Sequence, residues 1–154
     1  MPDQPPQTSR HKPKVFIDAD VLFAGSAAAS EHVASLVVLR MAEITLLEAF
    51  TSQQVIAEAE RNLAGKLPQT LPALRMIVAR CLRVVADPSP ADLQPYTGLA
   101  DLADLPILVA ALKSGCPWLV SFNTRHYRPG HTDVTVLPPG DFLLRVRDLL
   151  ARLG

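Results

Sequence analysis

The sequence predicts an α/β protein: three layers, α/β/α, around a central and mostly parallel sheet of about five strands. Three observations carry that prediction. Short apolar runs rich in Val, Ile and Leu recur along the 154 residues. Between most of them lie stretches with apolar residues at helical spacing, and strand–helix alternation implies parallel strands with right-handed crossovers. The first run, Val15-Phe16-Ile17, passes directly into Asp18, Ala19 and Asp20. A surface strand does not end that way, whereas a buried strand delivering a carboxylate to its C-terminal tip does, and that edge of an open parallel sheet is where ligands sit. Asp18 is also open to a plainer reading, as the cap of the helix that follows.

Taken in order, 1–13 holds Pro2, Pro5, Pro6 and Pro13 among polar residues and reads as a flexible Pro-rich tail, leaving 14–154 as a single domain. Lys14–Ile17 is the first strand, and Val21–Ala29 is helical by composition. Ser30 with Glu31 restarts a helix through Val33, Leu36, Val37 and Met41. Glu43–Glu48 (EITLLE) reads as the second strand. Thr51 and Ser52 are cap candidates for a helix whose buried face is Val55, Ile56, Ala59 and Leu63, with Gly65 as its stop. Pro72 opens another helix, with Leu74, Ile77, Val78 and Cys81 inward. Leu82–Ala86 is the third strand. Asp87–Gly98 is a Pro-rich loop with room for one helical turn. Pro106 suits the first turn of a helix that Gly115 ends, Trp118–Phe122 is the fourth strand, and Asn123–Gly130 is a polar loop. Val134–Leu137 is the fifth strand, and Asp141 caps a final helix through Leu150.

Composition narrows the function classes. Apolar residues make up 49% and charged residues 19%, so the chain can build a core, and with 5% aromatics that core must be aliphatic. Lys plus Arg and Asp plus Glu number 15 each, a formal net charge of zero. Bulk charge therefore gives no attraction to a polyanion, and any such binding needs a local patch or a metal. Cys81 and Cys116 lack metal-ligand spacing and read as reduced thiols of a cytoplasmic protein. No signal peptide is visible, and no apolar run reaches the ~18 residues of a membrane span.

Acidic residues recur at element boundaries: Asp18 after the first strand, Glu58 within the third helix, and Asp101 and Asp104 before the fifth. Asn123 follows the fourth strand at the equivalent edge. Each has a plain explanation alone, as a cap or a solvated residue. A parallel sheet, however, brings the tips of strands one and four and the following helix starts to one edge. Carboxylates gathered there would raise one another's pKa unless a cation compensated them. Oxygen ligands suit Mg²⁺ or Mn²⁺, which could hold a phosphodiester and activate a water. Ser121 and Thr124 are then site-shaping hydroxyls, since no GxSxG is present. Asp20 could support Asp18, and Arg125, His126 and Arg128 could supply the local positive patch. A solvated loop explains those three equally well.

The segments VFIDADVLFAG, QVIAEAERNL, DLADLPILVAALKSG and WLVSFNTRHY, in this order and spacing, resemble the PIN-domain nucleases, in particular the VapC-like toxins. The resemblance spans about Lys14–Tyr127. It implies a five-stranded parallel sheet, a Mg²⁺ or Mn²⁺ site and an endoribonuclease that leaves 5′-phosphate and 3′-hydroxyl ends. It further implies the toxin of a toxin–antitoxin pair, with an antitoxin partner and a homodimer, the helices Ser30–Met41 and Thr70–Arg80 being the candidate face. By position, Asp18, Glu58 and Asp104 match the family's catalytic, metal-binding acids, with Asp101 and Asn123 completing the metal shell. Asn123 stands where many members have a fourth Asp, and Asp20 where an Asn is frequent. Two other readings remain open: a catalytically weak PIN-fold module that binds RNA or antitoxin, and a HAD-like phosphatase, whose opening VFIDADV also fits.

Overall fold

The structure, a computed structural model, describes residues 12–27 and 33–152. The expected tail lies outside these residues except for its last two, as do the end of the first helix after Ala27 and the Ser30–Glu31 helix start. Pro13 is held in place: its carbonyl accepts the Glu48 N–H at 2.9 Å.

The elements are β1 (Lys14–Ile17), α1 (Ala19–Ala27), α2 (Val33–Glu43), β2 (Glu48–Ser52), α3 (Gln53–Lys66), α4 (Leu71–Cys81), β3 (Leu82–Val85), α5 (Pro90–Leu93), α6 (Leu105–Lys113), β4 (Trp118–Val120), β5 (Thr135–Leu137) and α7 (Pro139–Ala151). All four strand pairings are parallel, and the order across the sheet is β3-β2-β1-β4-β5. The three-layer α/β fold with a five-stranded parallel sheet is therefore as expected. The chain steps outward from β1 to β3, then returns to the other side of β1. That reversal opens a crevice at the C-terminal ends of β1 and β4, the place where open parallel sheets bind ligands.

The central strands β1 and β4 are short and apolar because they are covered on both faces, whereas the edge strands β3 and β5 are partly exposed. Val15, Phe16, Ile17, Leu119 and Val120 are fully buried. Helices α1 to α4 pack on one another, and α6 packs against β2 and β4. Leu108, Ile107 and Phe142 join the same core. Each such side chain contributes about 1.5–3 kcal/mol of burial.

Several boundaries differ from expectation, each for a local reason. The second strand is EAFTS, not EITLLE. Helix α2 runs on to Glu43, Ile44 donates back to the Arg40 carbonyl, and Thr45 adopts a left-handed φ of 66°. Ile44 and Leu46, the apolar residues that suggested a strand, are 61% and 51% exposed. The real strand ends in two buried hydroxyl residues, and Thr51 donates its hydroxyl to the Ile17 carbonyl at 3.0 Å. Gly65 does not stop α3, which continues one residue to Lys66, and Ser52 caps its start by accepting from Val55 N–H. Asp141 lies inside the first turn of α7, whose cap position is Pro138. The loop after β3 holds the single helical turn α5, closed by a reciprocal Ser89–Asp92 capping box. Both cysteines are free: Cys116 is buried, Cys81 half-buried.

Candidate active site

Asp18 is the first residue after β1 and only 5% exposed. Its backbone stays in the sheet by donating to Val120 O at 3.1 Å, and its carbonyl accepts the first bond of α1 from Leu22. The two side-chain oxygens are held separately. Oδ1 accepts the Ala19 N–H at 2.7 Å, while Oδ2 accepts the Tyr127 hydroxyl at 2.6 Å. Two charge-assisted bonds thus fix the carboxylate plane in a buried setting.

Glu58 reaches the same region from the middle of α3, and Asp104 from the start of α6. Both carboxyls are pushed above the ordinary range. For Glu58 the cause is burial first, then the charges of Asp18 and Asp104, with Arg61 and His126 opposing. For Asp104 it is burial first, then Asp18, with His126 opposing. Side chains 40 to 86 positions apart in sequence therefore share one electrostatic neighbourhood at the sheet's C-terminal edge. Asp104 sits at the cap position of α6 yet makes no capping hydrogen bond. Pro106 in that first turn has no N–H to be capped, and the Asp104 carboxylate turns instead to His126 Nδ1, 3.3 Å away. Asp101, Asp104 and His126 bring ligand atoms within 4.8 Å of one another. Asp101 is fixed by its own backbone, whose N–H donates to the His126 carbonyl at 2.7 Å.

Asp20 opens α1 and closes against the end of β4. Its Oδ2 accepts from Phe122 N–H at 3.0 Å, Asn123 Nδ2 at 3.1 Å and Ser121 Oγ at 3.3 Å, and Ser121 Oγ accepts from Asn123 N–H at 3.0 Å. Burial, reinforced by the Asp18 charge, raises the Asp20 carboxyl to about 7 against the pull of those donors. Its other oxygen, Oδ1, is buried without a hydrogen-bond partner. Asp20 and Asn123 thus form a matched pair, an anion accepting from an amide. A carboxylate at both positions would set two negative oxygens about 3 Å apart, a repulsion that protonation of one, or a bound cation, would relieve.

The donor set fits a hard dication. It is rich in carboxylate oxygen and mutually repulsive, and beside it Asp20 Oδ1 is buried with no hydrogen-bond donor, the kind of group a cation satisfies. The remaining expected site residues disperse. Thr124 and Arg128 line a separate cavity of about 430 Å³ with His131 and Asp141, and Arg125 is exposed. Of the three expected basic residues only His126 meets the acids. Tyr127, the donor to Asp18, carried no signal of its own, because a lone aromatic beside a strand reads as core.

The PIN domain family profile matches residues 14–125. No curated protein matches the sequence significantly. Among solved structures the chain is similar to VapBC2 from Rickettsia felis bound to a promoter DNA fragment, at 15% identity and a TM-score of 0.57, covering 80% of this chain and 96% of that one. It is also similar to VapC20 from Mycobacterium tuberculosis, described as a Sarcin-Ricin loop cleaving toxin, at 17% identity and a TM-score of 0.58, covering 78% of this chain and 98% of that one. At those identities the likeness is one of fold. The profile match covers most of the chain and takes in VFIDADV, which places that opening here and not among phosphatases: the chain belongs to the PIN domain family.

Proposed function

We propose that the protein is a Mg²⁺- or Mn²⁺-dependent endoribonuclease and the toxin of a toxin–antitoxin pair. The observation that carries this reading is the convergence of Asp18, Glu58 and Asp104 at the sheet's C-terminal edge, where burial and then the Asp18 charge push the carboxyls of Glu58 and Asp104 upward. So concentrated a negative field repels an RNA backbone unless a cation intervenes. Asp18, Glu58 and Asp104 would hold the metal, with Asp101 and Asn123 at its margin. When bound, the ion acidifies a coordinated water and shields charge on the phosphate.

The chain's own residues do the rest. Tyr127 and the Ala19 N–H orient Asp18. His126 draws Asp104 away from the helix backbone and towards the cluster. Asp20 ties the start of α1 to Ser121, Phe122 and Asn123, so both walls of the crevice hold one geometry. Asn123 donates its amide N–H to Asp20, which leaves its carbonyl oxygen for the site. No covalent nucleophile is needed.

The toxin role rests on family membership and on the fold shared with the two neighbours, VapBC2 solved on a fragment of promoter DNA and VapC20 described as a Sarcin-Ricin loop cleaving toxin. A protein partner, whether antitoxin or a second copy, has an apolar flank available: Val33, Val37 and Met76 are 55%, 37% and 51% exposed on α2 and α4. No described helix is long and apolar enough to cross a membrane, and the role calls for the cytoplasm.

The test is Asp104→Asn. It should abolish RNA cleavage in Mn²⁺ and growth inhibition on expression, with the circular dichroism spectrum unchanged. Cleavage at the wild-type rate by that variant would refute the assignment.

A further inference from the structure

Beside the carboxylate cluster lies a second, smaller cavity of about 250 Å³, walled by Asp20, Phe23, Asn62, Lys66 and Phe122. It sits between α1, the C-terminal half of α3 and the residues following β4. Its composition is unusual for this chain, whose 154 residues include five Phe, two Tyr and one Trp. Two of those rings line it. Phe122 is 44% exposed although its backbone N–H is fixed on Asp20. Lys66 places its ammonium 5.6 Å from the Phe23 ring centroid, and Asn62 adds an amide.

We propose that this cavity is a nucleobase subsite: it takes one unpaired base of single-stranded RNA next to the scissile phosphate, stacked on Phe122 and Phe23. The inference rests on the nuclease reading above and specifies its substrate. Single-stranded RNA is recognised by stacking splayed bases on aromatic rings and hydrogen-bonding their edges. The Asn62 amide carries both a donor and an acceptor, as a base edge requires. Lys66 ends α3, where its charge is favourable against the helix C-terminus, and can meet the adjoining phosphate. In a chain of zero net charge such a local cation is what backbone attraction needs. Asp20 is shared by both sites: it walls the cavity and lies next but one to Asp18. On this proposal a seated base directs its phosphate towards the acidic crevice, whose Asp18 charge reaches Asp20. The cavity is smaller than the about 300–1,000 Å³ usual for larger ligands, which favours a single ring system over a peptide segment.

The experiment uses the full chain, Mn²⁺ and a short single-stranded RNA whose cleavage point has been mapped. Each nucleotide flanking that point is replaced in turn by an abasic ribose. For the wild type, one position should lose roughly 5- to 150-fold in kcat/KM, the range for one base–aromatic stack. Phe122→Ala should lose a similar factor on intact RNA and nothing more on the abasic one, the non-additivity of a shared contact. Phe122→Tyr should retain activity. Lys66→Ala should raise KM and flatten the salt dependence by about 0.7 in log–log slope, one phosphate contact on a single strand. Equal cleavage of all abasic substrates, or Phe122→Ala and Lys66→Ala both at wild-type values, overturns the subsite and leaves the cavity to a protein partner. Binding of the same RNAs, followed by fluorescence anisotropy, separates the two readings. Base-dependent binding without any cleavage would sink the nuclease and support the subsite. Cleavage without base dependence would do the reverse.

Discussion

Asp20→Asn should make the metal-free protein more stable, and the gain should depend on pH. The structure shows why the exchange is geometrically free. Oδ2 already accepts from Ser121, Phe122 and Asn123, a role an amide oxygen can take over. Oδ1 has no donor to lose, so an NH₂ group can stand in its place. What disappears is the buried charge. A carboxyl whose midpoint moves from 3.8 to about 7 on folding destabilises its anion by about 4 kcal/mol. The sign follows from linkage. Below about pH 4 both folded and unfolded chains carry the proton and no penalty exists. Between pH 4 and 7 the unfolded chain ionises first and the penalty grows. Above pH 7 it is complete. The variant should therefore unfold at the same temperature as wild type near pH 4 and roughly 8–16 °C above it at pH 8 in EDTA, taking 2–4 °C per kcal/mol for this size. Thermal denaturation followed by circular dichroism across that range measures the gap. Saturating Mn²⁺ should narrow it, because the cation offsets the wild-type anion. A gap that stays constant with pH, or a less stable variant at pH 8, would refute the account of Asp20 as an uncompensated charge.

Two further outcomes test the surroundings of the site. Tyr127→Phe keeps the ring but removes the 2.6 Å bond to Asp18; it should lower unfolding free energy by about 1.5–3 kcal/mol in urea and weaken Mn²⁺ binding by about 10- to 100-fold in calorimetry. Gly25→Ala should destabilise by about 1–3 kcal/mol through overpacking, since a Cβ there collides with the buried Leu39 Cδ1; urea denaturation decides, and an unchanged midpoint would show that α1 and α2 can move apart freely.

How much of this was written in the sequence depends on what each residue signals locally. Val15-Phe16-Ile17 and Trp118-Leu119-Val120 are legible because a strand buried on both faces must be continuously apolar. Glu48–Ser52 is not, because only Ala49 and Phe50 are apolar in it, and the Thr51 hydroxyl is buried on the Ile17 carbonyl 34 residues away. Asp18, Glu58 and Asp104 could be picked out by their places relative to strand ends and helix starts. Their company could not. The Tyr127 hydroxyl reaches Asp18 across 109 positions. Arg125, His126 and Arg128 read as one basic patch in a loop, but the short 3₁₀ turn Thr124–Tyr127 sends His126 to Asp104 and Arg128 to another cavity. Asn123 looked like a lost charge. Beside Asp20 it is the neutral half of a pair.

The bare start of α6 carries a consequence for anyone engineering this protein. Asp is among the best residues for closing a helix start, a contribution of about 1 kcal/mol, and Asp104 forgoes it. A neutral residue there would remove a carboxyl that burial and the Asp18 charge disfavour, toughening the metal-free molecule against heat while withdrawing an oxygen from the acidic crevice. Screening variants by thermal tolerance alone would therefore drift towards sturdy, inert proteins, and residue 104 would be among the first positions to go.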